Sequence, residues 1–132
     1  MTSEPKTKYS ASFMSNAKWR KCFSIVNRSS LDIHTCVWKL TDIDEPVQGL
    51  LPELDELGID YVGDCGALNG PFDFSRIEWL LIPSTHSYQA YEKAPQNVIK
   101  QDLKTIAQQL AALGQFEMES SSEGLKVYGY KV

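Results

Sequence analysis

Trp19, Cys22, Phe23 and Val26 recur at offsets of 0, 3, 4 and 7, the spacing of one helical face. The period predicts a helix over residues 16–27, with Ser15 as its N-cap and Met14 placed to pack on Trp19 ahead of the first turn. Residues 32–41 switch to a period of two and are rich in β-branched and aromatic side chains, which predicts a strand. Ile33, Thr35 and Val37 fall on one of its faces; His34, Cys36, Trp38 and Leu40 fall on the other. Leu50, Leu54 and Leu57 then form a short apolar stripe between Pro52 and Gly58, and a short helix is expected there. Residues 59–62 follow as a brief strand.

Residues 63–73 hold three glycines and Pro71, and read as a loop. Residues 74–82 predict a strand stopped by Pro83, and the unbroken run Trp79-Leu80-Leu81-Ile82 predicts burial on both faces, hence a central position. Residues 84–94 are polar, with Tyr88 and Tyr91 among them. Ile99, Leu103, Ile106, Leu110 and Leu113 keep a three-four spacing from Pro95 to Gly114, which predicts a long helix. Alternation over 115–119 and 125–130, around Ser120-Ser-Ser-Glu-Gly124, predicts a closing hairpin. The sum is an α+β domain, two main helices on one face of a mainly antiparallel sheet, spanning residues 12–132 after a polar tail at 1–11.

Charge changes the picture more than composition does. Between Leu40 and Ser75 stand nine acids and no Lys or Arg: Asp42, Asp44, Glu45, Glu53, Asp55, Glu56, Asp60, Asp64 and Asp73. Residues 1–39 carry seven bases against two acids and residues 76–132 carry six of each, so the net −4 conceals a polar molecule. Asymmetry of this kind bears on partners and encounter rates rather than on fold. A pI near 5.1 opposes generic nucleic-acid binding, because phosphate would repel the acidic middle. No run approaches the roughly 18 apolar residues of a membrane span, and the start lacks the apolar core of a secretory signal. Three cysteines, Cys22, Cys36 and Cys65, are an odd number without a pairing pattern; they fit reduced thiols and a cytoplasmic location.

Candidate chemistry is sparse. Asp42, Asp44 and Glu53 match positions 1, 3 and 12 of a calcium loop, but Pro46 and Val47 occupy positions 5 and 6, where the loop needs a ligand and a glycine. Cys65 lies in a glycine-rich loop that could expose a nucleophile, yet Asp64 beside it opposes thiolate formation. His34 and Cys36 could supply two zinc ligands, without a second pair to complete a site. The bases of Lys18-Trp19-Arg20-Lys21 could touch phosphate or a ligand, pair with the acidic segment, or join a partner surface. No nucleotide-binding or hydrolase motif is present, and no cofactor or metal is expected.

Three motifs carry a resemblance: Asn16-Ala-Lys-Trp-Arg-Lys, Gly70-Pro-Phe-Asp-Phe-Ser-Arg-Ile-Glu-Trp-Leu-Leu-Ile-Pro, and Leu113-Gly-Gln-Phe with Gly124-Leu-Lys-Val-Tyr-Gly-Tyr. With them the chain resembles a small family of bacterial domains of unknown function, which implies no catalytic residues. In type it also resembles the small acidic antidotes that neutralise bacterial toxins. The expectation is a non-enzymatic immunity protein whose Asp42, Asp44, Glu45, Glu53, Asp55, Glu56, Asp60 and Asp64 meet a basic protein partner. Tyr61 would serve as an aromatic anchor, with Tyr88 or Tyr91 as further candidates. The alternatives are a solvated acidic surface, a subunit of a permanent complex, or a small enzyme or ligand-binding domain using Asp64, Cys65 and His86 under the 63–73 loop.

Overall fold

The computed structural model describes residues 11–29, 31, 33–63, 71–88, 93, 95 and 97–131. Helix α1 spans Asn16–Arg28 and starts where its cap places it: Ser15 Oγ accepts the Lys18 N–H at 3.2 Å. Its apolar face buries Trp19, Cys22, Phe23, Ile25 and Val26. Ser29 closes it, with Oγ donating to the Ile25 carbonyl at 2.7 Å. Lys18 in the first turn opposes the helix dipole. Its place is explained by tertiary contacts, because Nζ donates to the carbonyls of Phe13 (3.1 Å) and Gln115 (2.6 Å) and ties the helix to both neighbouring segments.

Five antiparallel strands form the main sheet: β2 (Thr35–Leu40), β3 (Val47–Leu50), β6 (Ile77–Pro83), β9 (Met118–Ser121) and β10 (Gly124–Tyr128), in the order β3-β2-β6-β10-β9. The central place expected for residues 74–82 is taken by β6. The face toward α1 buries Cys36, Trp38 and Leu40 from β2, Leu80 and Ile82 from β6, and Leu125 and Val127 from β10. Burial on both faces of β6 does not hold, however. Trp79 and Leu81 point away from the helices and are only partly buried, beside Val37 and Tyr128. The Lys126 ammonium lies 4.3 Å from the Trp79 ring centroid, and that of Lys131 lies 4.4 Å from Tyr128, so cations rather than a second layer shield these rings. At one end, Leu40 opposes Ile77 while Lys39 opposes Trp79, which leaves Glu78 as an inserted bulge residue held by Lys39 Nζ at 3.2 Å.

The second helix is shorter than its periodicity suggested. Helix α2 spans Lys104–Leu113, and residues ahead of it form β8 (Asn97–Lys100), paired antiparallel with β7 (Thr85–Tyr88). The helix begins at Lys104 rather than at Pro95, with Leu103 in the N-cap position, and Asp102 Oδ1 accepts the Lys104 N–H at 2.9 Å just ahead of it. Gln101 pins the junction: Nε2 donates to the Pro83 carbonyl (2.6 Å) and Oε1 accepts the Ile33 N–H (3.1 Å). Ile106 and Leu110 are buried, whereas Leu113, assigned to the apolar stripe, is 50 % exposed because the helix ends beyond the core.

The closing hairpin forms, with tighter bounds than the alternation suggested: Ser121 pairs with Gly124 across Ser122 and Glu123. Gly124 has φ +146°, and a Cβ there would strike the Ile82 carbonyl, so the turn requires glycine on both counts. Ala11, which the sequence places in the tail, is already paired: β1 (Ala11–Ser12) lies antiparallel to β11 (Tyr130–Lys131). Two more short strands, β4 (Tyr61–Val62) and β5 (Phe72–Asp73), make a separate ribbon. Phe23 centres the core between these parts, stacked on Trp19 at 5.8 Å and tilted against Trp38 (5.9 Å) and Phe74 (6.0 Å). Trp38 meets Phe72 edge-on at 5.1 Å, which joins the ribbon to the sheet. Such ring pairs contribute about 0.5–1.5 kcal/mol each beyond their buried area.

Candidate docking surface

The short helix expected around Pro52 is absent. Leu50 ends β3, and Leu54–Glu56 make a single 3-10 turn, too short to own a face. Leu50 and Leu54 therefore do not share a buried stripe; they are 48 % and 49 % exposed. Pro52 is buried, and Asn27 Nδ2 clamps it by donating to the Pro52 carbonyl at 2.9 Å and to the Phe23 carbonyl at 2.7 Å. The Leu51 N–H donates to the His34 carbonyl, and Leu57 bridges Val62. The backbone of this segment is thus fixed while many of its side chains face outward.

The ribbon behaves in the same way through strand alternation. Val62 and Phe72 pair on the inner side and are buried; Tyr61 and Asp73 pair on the outer side and are exposed. The Gly58 N–H donates to the Tyr61 carbonyl at 2.8 Å, and the Tyr61 ring lies across Gly58 in space a Cβ would need. Tyr61 is 42 % exposed, with one side of its ring backed by the chain. It is a preset aromatic projection.

The acids frame these groups. Asp42, Asp44 and Glu45 lie at the turn between β2 and β3 and are exposed, as are Glu53, Asp55, Asp60 and Asp73. Asp42 is partly neutralised: Arg76 Nε and Nη2 donate to its two oxygens at 3.1 and 2.9 Å. The Glu56 side chain, Asp64, Cys65, the His86 and Tyr88 side chains and Tyr91 fall outside the described residues, and so does the pocket suggested under the 63–73 loop. His34 is exposed and Cys36 buried, so the two do not form a shared ligand pair. Among the described residues no group of three His, Cys, Asp or Glu could hold a metal ion, and no helix is long and apolar enough to cross a membrane.

Arg20 and Lys21 form no ion pair with the acidic segment among the described residues. They line an open hollow of about 440 Å³ with Ala17, Ser24, Leu54 and Leu57, a basic flank directly beside the acidic lobe. Comparison with protein-family models, curated proteins and solved structures finds no match to this chain. The three motifs singled out in the sequence meet inside the fold, with Arg20, Lys21 and Asp73 as the members that reach this surface. Trp19, Phe74 and Gly129 line one small cavity, Lys18 reaches Gln115, and the Tyr130 hydroxyl donates to the Ser75 carbonyl at 2.9 Å. They hold the molecule together.

Tyr61 was named from the sequence; what sequence reasoning missed is the exposed apolar company it keeps, Leu50, Leu54 and Ile59. Of six large hydrophobic residues exposed among the described residues, Leu50, Leu54, Ile59 and Tyr61 fall within twelve positions of the acidic segment. Ile59, at 75 %, is the most exposed of the six. The signal available was the shortness of the stretch between Pro52 and Gly58, which barely allows a helical face.

Proposed function

We propose that this chain is a non-enzymatic binding domain that docks on a basic protein, an immunity protein that occludes the basic active site of a bacterial toxin. The observation that carries the reading is the company the acids keep. A surface selected for solubility alone has no use for Leu50, Leu54, Ile59 and Tyr61 among its carboxylates, whereas apolar groups inside a polar rim are the anatomy of a protein interface. Asp44, Glu45, Asp55 and Asp60 would steer the partner, and Tyr61 and Ile59 would be desolvated on contact. The Arg20 and Lys21 flank would repel a basic partner that arrived in the wrong orientation. The toxin as partner is supported by likeness of type: a small α+β domain with an acidic face.

The test is affinity purification of the tagged chain from its native host at low and high salt, followed by kinetics with the co-eluting protein. A basic protein retained at low salt and weakened at high salt is expected. Asp55→Lys with Asp60→Lys should slow association about tenfold or more and flatten its salt dependence, while Tyr61→Ala should mainly speed dissociation. Wild-type kinetics in all these variants would remove the segment from the interface.

A further inference from the structure

Among the described residues the sheet ends on one side at β3. Thr35 opposes Leu50, and the Leu51 N–H donates to the His34 carbonyl at 2.8 Å. Antiparallel alternation then turns the N–H and C=O groups of Val47 and Gly49 toward β2, and those of Gln48 and Leu50 away from it. Gln48 and Leu50 are the exposed residues of the strand, and no described residue pairs with their outward groups.

Native sheets guard such edges with charge, proline, a bulge or a cover. The opposite edge strand β9 is guarded by a charge within it, Glu119. Strand β3 reads Val-Gln-Gly-Leu and carries no charge. Its charges stand beyond both ends instead, Asp44 and Glu45 on one side and Glu53 and Asp55 on the other, all exposed.

We infer that β3 is the docking edge for an extended segment of the basic partner, which adds to the sheet as a sixth strand and carries Lys or Arg on both flanks. The inference rests on the docking reading above and gives its mode. The outward groups of Gln48 and Leu50 supply two donors and two acceptors to the incoming backbone. The Gln48 and Leu50 side chains lie on the open sheet face beside Val37 and Thr35, where alternate side chains of the added strand can pack. A second copy of this chain is the wrong occupant on charge. Antiparallel self-pairing centred on Gly49, with Gln48 against Leu50, would bring Glu45 of each copy toward Glu53 of the other.

The experiment selects ligands for the full chain from a displayed library of random extended cores, flanked by paired Lys in one half and paired Glu in the other. The best peptides are then followed by amide exchange. Enrichment of Lys-flanked cores, with exchange at Gln48 and Leu50 slowed about tenfold or more, is expected. Gln48→Pro removes one outward N–H that makes no ladder bond, and should weaken those peptides about tenfold or more with little change in melting temperature. If Gln48→Pro does not fold, Gln48→Lys sets a guarding charge on the same edge and should give the same loss.

Lys-flanked peptides that bind in a salt-sensitive way, yet leave both amides unprotected and ignore both variants, would overturn strand addition and leave acidic docking standing. No enrichment of Lys over Glu flanks would overturn both readings. Protection of the same amides that rises with protein concentration, without peptide, would assign the edge to a second copy and overturn the proposal.

Discussion

Cys22 shows how far the core controls a single group. Full burial pushes its thiol from the ordinary 9.0 up to about 12 by desolvating the charged form. Below pH 9 both folded and unfolded chains hold the thiol neutral, and its contribution to stability is fully present. As pH rises toward 12 only the unfolded chain ionises, so that contribution is lost at about 1.4 kcal/mol per pH unit. Urea unfolding between pH 8 and 10.5 should therefore fall more steeply for the wild type than for Cys22→Ala; equal slopes would mean that the thiol ionises in the folded state. Burial of Tyr130 raises its hydroxyl pKa as well, with the same sign in both proteins, and leaves the comparison intact. Trp38 is the opposite case, an indole N–H buried without an acceptor among the described residues. Its ring contacts with Phe23 and Phe72 offset that cost. Ser15 and the Trp19 face were legible as sequence because capping and helical period are local. The task of Lys18 was not, since its acceptors lie 5 and 97 positions away.

Elements differ in how much of their extent is local. The first helix starts at its cap and ends within a residue of the expected bound. The second was overextended by nine positions, because Ile99 and Leu103 fit a helical period while Asn97–Lys100 had a strand partner waiting in Thr85–Tyr88. Pairing overrode the period, and Asp102 marks the point where helix takes over. Asp102→Ala removes a side-chain bond one residue ahead of the N-cap position, Leu103, and should cost less than Ser15→Ala, which removes a true cap and about 1 kcal/mol. Urea midpoints of the two variants check this, and a loss in Asp102→Ala equal to that in Ser15→Ala would mean that Asp102 caps the helix after all. The 50–57 stretch failed for the converse reason: a three-leucine stripe fits a helix, but with so few residues strand and 3-10 turn compete on equal terms.

On the scale of the whole molecule, folding and docking fall to different residues. The interior is shared between α1, α2, the inner sheet face and the ribbon, and the described acids of the middle segment stay outside it. Reversing Asp55 and Asp60 together should leave folding stability within about 0.5 kcal/mol of wild type, because exposed charges of this kind contribute little. Chemical unfolding measures this directly, and a loss of several kcal/mol would tie the acidic lobe to the fold instead. The same double variant is the one expected to slow association, so the two readouts separate a docking role from a structural one.

Sequence alone determined the α+β class, the first helix, the central strand, the closing hairpin and the segregation of charge. Each depends on period, capping or composition, which act over a few residues or over none. Tertiary structure decided which apolar residues stayed outside. Leu54 in a three-residue turn, and Leu50 on an edge strand, are apolar by type and exposed by position. It also decided that β6 would be covered on one face and that β3 would end the sheet uncharged. These depend on which strands find partners and on which side the helices pack, relations between residues far apart in the chain that no local pattern encodes.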